Sequence, residues 1–80
     1  MKYRVEKLNS SICSIKLVPE SAAEERLLTQ PEKESTFLLH YQQALSKYVH
    51  KDAAFLEIVS ADHYPSHVLV RFQLASGIGA

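Results

Sequence analysis

Between Lys2 and Leu8 the apolar residues Tyr3 and Val5 alternate with Lys2, Arg4 and Glu6, the period of a strand with one buried face. A second alternating run extends from Ile12 to Val18. If Asn9-Ser10-Ser11 is a three-residue loop, Leu8 faces Ile12, Val5 faces Ile15 and Tyr3 faces Leu17. A two-residue loop sets Val5 against Ser14 and Tyr3 against Lys16. Because a one-residue slip turns a whole strand face over, burial predicts the longer loop. Asn9 is expected to supply the left-handed backbone that a turn without glycine requires.

The period then changes from two to between three and four. Pro19-Glu20-Ser21 opens a helix: Ser21 can cap it, Glu24 stands at capping-box spacing, and Leu27 and Leu28 supply its buried side. Pro31 interrupts, with Thr29 and Glu32 at the spacing of a second capping box. From about Glu32 to His50 the pattern is strongly helical. Phe37, Leu38, Tyr41, Leu45, Tyr48 and Val49 form one apolar stripe, with Gln42, Gln43, Ser46 and Lys47 mostly opposite.

Two further strands, Ala54 to Ala61 and Val68 to Ala75, flank the turn-rich Asp62-His63-Tyr64-Pro65-Ser66-His67. An unpaired buried carboxylate is costly, so Glu57 belongs outside. Regular alternation then turns Leu56 and Ile58 inward and leaves Phe55 and Val59 outward with Glu57. In the last strand Val68, Val70, Phe72 and Leu74 go inward, and Leu69, Arg71 and Gln73 go outward. The expected fold is a single α+β domain over residues 1–75, a four-stranded, mainly antiparallel sheet with two helices on one face in the order ββααββ. Residues 76–80 are expected to form a loose tail.

Composition narrows what such a domain can do. The only glycines, Gly77 and Gly79, lie in that tail, so phosphate-cradling loops and the sharp elbow of a catalytic serine are not expected. Eighty residues bury roughly 60% of the unfolded chain's surface, which leaves little room for a deep pocket. The formal charge is zero, so recognition by charge must be local. A single cysteine, Cys13, excludes an internal disulfide and fits a reducing compartment. The first residues lack the apolar run of a signal peptide, and no stretch reaches the ~20 apolar residues of a membrane helix. A cytoplasmic location without a membrane role is therefore expected.

The outward face combines Phe55, Val59 and Leu69 with Lys2, Arg4, Lys16 and Arg71, together with Glu6 and Glu57. Apolar anchors ringed by arginine describe a protein interface, so Phe55, Val59, Leu69 and Arg71 are the expected partner-binding residues. The leading expectation is a small non-enzymatic interaction module, an adaptor or inhibitor, with a protein partner or a second copy. Its size also suits an accessory protein of a phage or mobile element. An alternative is a single-stranded nucleic-acid module on the same face, with Lys2, Arg4 and Lys16 meeting phosphates. A third reading places a metal or enzymatic site around Asp62, His63 and His67, with Ser60 nearby. Pro65 denies the two histidines a shared helix. No catalytic residue, metal ligand, cofactor or small-molecule ligand is assigned.

The remaining reactive side chains have structural readings. Cys13 shares the face of Ile15 and Leu17 and is expected to be a buried, inert thiol. His50 suits the negative end of the long helix, and His40 lies within it. Tyr41 and Tyr48 are expected in the core with their hydroxyls at a polar edge.

Overall fold

The computed structural model describes residues 1–30 and 32–74. They form strands β1 (Lys2–Lys7) and β2 (Ile12–Val18), helices α1 (Ala22–Leu27) and α2 (Glu34–Tyr48), and strands β3 (Ala53–His63) and β4 (His67–Leu74). The strands make one antiparallel sheet in the order β1-β2-β4-β3, which puts β2 and β4 in the middle. The chain is thus a small α+β domain of ββααββ order. Pro31 and the expected loose tail lie outside the described residues.

β1 and β2 pair as the three-residue loop requires, with Tyr3 opposite Leu17 and Val5 opposite Ile15. Asn9 makes that loop by a different device from the expected one. Among the described residues no non-glycine residue has positive φ. Instead Asn9 Oδ1 accepts the main-chain N–H groups of Ser11 and Ile12, each at 2.8 Å, so a side chain bends the loop in place of a left-handed backbone.

Ser21 caps α1, its Oγ accepting from Glu24 N at 3.2 Å. Glu24 answers one residue earlier than a capping box prescribes, taking the N–H of Glu20 at 2.7 Å. Its other oxygen meets the Met1 amino group at 2.7 Å. The second capping box does not form: Thr29 Oγ1 donates to Arg26 O at 2.7 Å, and α2 starts after Lys33 without a side-chain cap.

The core is one cluster between α2 and the sheet. β2 contributes Cys13, Ile15 and Leu17, β4 contributes Val68, Val70 and Phe72, and α2 contributes Phe37, Tyr41, Ala44 and Leu45. Leu27 and Leu28 of α1 pack at its margin. Tyr48, expected in the stripe, is 52% exposed. Its ring lies edge-on to Tyr3 at 6.5 Å, beyond the end of the buried cluster.

Two neighbouring residues of α2 fasten it to the second hairpin. The buried Tyr41 hydroxyl donates to Pro65 O at 2.6 Å. Gln42, expected on the opposite face, donates to Ala53 O and accepts from Phe55 N, each at 2.8 Å. On the β1 side the Tyr3 hydroxyl lies 2.7 Å from His40 Nδ1 and donates to Gln43 Oε1 at 3.0 Å.

Replacing Tyr41 by phenylalanine leaves the buried Pro65 carbonyl without that donor, so Tyr41→Phe lowers the unfolding free energy by about 1–3 kcal/mol. Tyr48→Phe changes it by less than about 0.5 kcal/mol. Urea unfolding followed by circular dichroism measures both. Burial holds the His40 pKa below the ordinary histidine value, helped by the amino-terminal charge and opposed by Glu24. The unfolded chain therefore binds this proton more readily, and stability falls as pH drops through the ordinary histidine range. The decline of the urea midpoint between about pH 7.5 and 5 is shallower in His40→Gln.

Candidate functional site

α2 packs on one side of the sheet and Leu27 and Leu28 of α1 join the same core cluster, while the alternate residues of β1, β2 and β4 that point to the other side are exposed or half-buried. The strand registers arrange its residues in rows. Arg4, Lys16, His67 and His63 occupy consecutive opposed positions across the whole sheet. The next row runs Glu6, Ser14, Leu69, Ser60, and the one after it Ile12, Arg71, Glu57. Opposed residues in such rows stand about 4.5–5.5 Å apart at Cβ, close enough to act together on one partner.

Two shallow depressions meet on this face at His67. One, of about 370 Å³, is bordered by Arg4, Glu6, Ser14 and Lys16. The other, of about 200 Å³, is bordered by Ser60, Asp62, His63 and Leu69. His67 Nε2 lies 2.7 Å from Ser14 Oγ, and its ring stacks on His63 at 6.3 Å with 9° between the planes. Among the described residues no carboxylate is hydrogen-bonded to His67, and no three His, Cys, Asp or Glu side chains are grouped to hold a metal. Asp62 and Ser60 border the same hollow as His63 without joining them in a relay.

Arg4 directly opposite Lys16 is a like-charge pair, which destabilises a sheet. Neither has an ion-pair partner among the described residues. Arg71 is satisfied instead: it meets Glu57 at 2.9 Å across β4 and β3, both side chains being well exposed. Lys2 and Arg4 are exposed on β1 and Lys16 on β2, as expected of outward positions.

Phe55 is not on this face. It opposes Phe72, Glu57 opposes Arg71, and Leu56 between them has no opposite number. This bulge shifts the phase of β3, so Phe55 and Ile58 both pack against the core while Glu57 stays in water. The Phe55 ring lies 6.3 Å from that of Tyr41. Leu56, expected inside, is 45% exposed. A second register shift, between Ile58 and Ser60, leaves Val59 43% exposed. Leu69 is half-buried between Ser14 and Ser60.

The sequence pattern missed Ser14 and the alignment of His67 with Arg4 and Lys16. Both depend on β2 pairing with β4 across the helical segment, and strand periodicity carries no signal for that choice. Cys13 is fully buried, and burial pushes its thiol up to about 11. His50 turns back onto its own loop, Nδ1 accepting from Asp52 N at 3.0 Å. No helix among the described residues is long and apolar enough to cross a membrane. No protein family, curated protein or solved structure matches the chain.

Cys13 should resist modification in the folded protein. At about pH 8 its alkylation by iodoacetamide, followed by mass spectrometry, is more than about a hundredfold slower than in urea-unfolded chain.

Proposed function

We propose that this chain is a small protein-interaction module that offers the outer face of its sheet to a protein partner and acts by occupying that partner's surface. The single observation that carries this reading is the one-sided cover of the sheet. It leaves a shallow face on which apolar, basic and hydroxyl side chains converge at His67. Leu69 is the central anchor, with Val59 toward the β3 edge. Arg71 orients a partner, because its exposed pair with Glu57 is worth at most about 1 kcal/mol and can be exchanged for a partner's carboxylate. The uncompensated Arg4 and Lys16 favour an acidic segment as the bound element. Phe55 has no part in this surface, since it packs on Tyr41.

The row of Arg4, Lys16 and His67 also favours a second reading, a single-stranded nucleic acid. Single-strand binders stack bases on aromatic rings, and Phe55 turns inward and offers none, which makes this the weaker of the two.

The test is affinity capture from cells that express the chain, comparing wild type with Leu69→Asp and Lys16→Glu, both at positions outside the core. A partner recovered by wild type is reduced about tenfold or more by each variant, while circular dichroism is unchanged. Failure to recover any protein that discriminates wild type from Leu69→Asp overturns the reading. Mobility shift with single-stranded RNA and DNA oligonucleotides at low salt, weakening steeply as salt is added, would establish the second reading instead.

A further inference from the structure

The sheet has two edges, and they are finished differently. Along β3, Phe55 and Ala53 direct main-chain groups away from β4, and the Gln42 side-chain amide takes both the Phe55 N–H and the Ala53 carbonyl. The register shifts around Leu56 and Val59 disturb the same edge further on. Side-chain cover and bulges are the means by which natural sheets close an edge to other strands.

β1 has neither. It is regular, with six consecutive pairs to β2 and no bulge. The Leu8 N–H donates to Ile12 O at 2.9 Å, so by the alternation of an antiparallel ladder Glu6, Arg4 and Lys2 also turn their main-chain groups toward β2. Tyr3, Val5 and Lys7 turn theirs to the open edge. Among the described residues, no other element hydrogen-bonds to the main chain of these three.

We propose that two copies of this chain associate edge to edge through β1, antiparallel, about a two-fold axis at Val5, to make one continuous eight-stranded sheet. The charges select that register. Centred on Val5, Arg4 faces the partner's Glu6 and Glu6 faces the partner's Arg4, while Lys2 faces the partner's Leu8. Centring on Tyr3 sets Lys2 against the partner's Arg4; centring on Arg4 or Glu6 sets that residue against its own copy. Only the Val5 register combines opposite charges with outward-facing main-chain groups at its centre, Val5 pairing with the partner's Val5 and Tyr3 with the partner's Lys7. It also gives Arg4, which already faces Lys16, a carboxylate on its other side. On the helix side of the seam, the exposed Tyr48 beside Tyr3 and the half-buried Val5 gain cover.

This pairing engages Arg4 through the partner copy's Glu6 and leaves Lys16, Leu69 and Arg71 of the outer face free for another protein. It is tested with untagged protein by sedimentation equilibrium, where wild type has twice the 9.0 kDa chain mass. Arg4→Glu and Glu6→Arg each place like charges together twice and raise the dimer dissociation constant by about thirtyfold or more. The double variant Arg4→Glu/Glu6→Arg restores the dimer. An equimolar mixture of the two single variants forms a heterodimer, because the two acidic side chains at these positions in one variant then face the two basic side chains in the other. Both substituted positions are exposed, and circular dichroism verifies the fold of each variant. A wild type that stays monomeric at millimolar concentration overturns the proposal. So does a dimer that both single reversals leave intact, or a double variant that fails to recover.

Discussion

Two residues three apart on one strand, Phe55 and Ile58, both reach the core, and an antiparallel ladder permits that only where the strand carries an extra residue. Leu56 is that residue. Without it, burying Phe55 would also bury Glu57, or keeping Glu57 in water would expel Phe55. The bulge lets the core keep both large side chains and leaves Glu57 beside Arg71. The composition of the outer face follows: it loses an aromatic and takes its character from β1, β2 and β4, while Leu56 is exposed at the bulge.

Helix α2 makes this arrangement hold. Tyr41 and Gln42 are adjacent in sequence and so point in different directions from the helix, one to the Pro65 carbonyl at the turn and the other to the edge of β3. Together they fix the second hairpin at two separated points. Packing of Phe37, Tyr41 and Leu45 supplies the apolar burial, and the two polar contacts decide where along the helix the hairpin sits. The first hairpin is tied more lightly, through the Tyr3 hydroxyl to His40 and Gln43.

How much of this was legible in the sequence follows from which interactions are local. The register of β1 on β2 was readable because only one loop length buries Val5 and Tyr3 opposite Ile15 and Leu17. The inward set of β4 was readable from its strict alternation, and the Ser21 cap from its spacing to Glu24. The bulge at Leu56 was not: strict alternation explains Ile58 and Glu57, and only the competition for core space against Phe72 and Tyr41 shows that Phe55 turns in as well. The row from Arg4 to His63 was hidden too. Arg4 and Lys16 could be placed together from the first hairpin, whereas His67 joins them only through the pairing of β2 with β4, between residues about fifty positions apart. A helix pattern ranks Gln42 as polar and sets it opposite the apolar stripe, and nothing in that pattern shows that a strand edge is waiting for an amide.

The Gln42 clasp on β3 has a bearing on how far assembly can go. A sheet with two open edges can add strands at both ends, and repeated addition has no natural stopping point. Here Gln42 takes main-chain groups of Ala53 and Phe55 at one of those ends, and the register shifts around Leu56 and Val59 break the regular ladder further along it. In the pairing proposed through β1, the edges left outward are the two β3 strands, each clasped at Ala53 and Phe55 and irregular beyond them, which favours closure at a pair over growth into a filament.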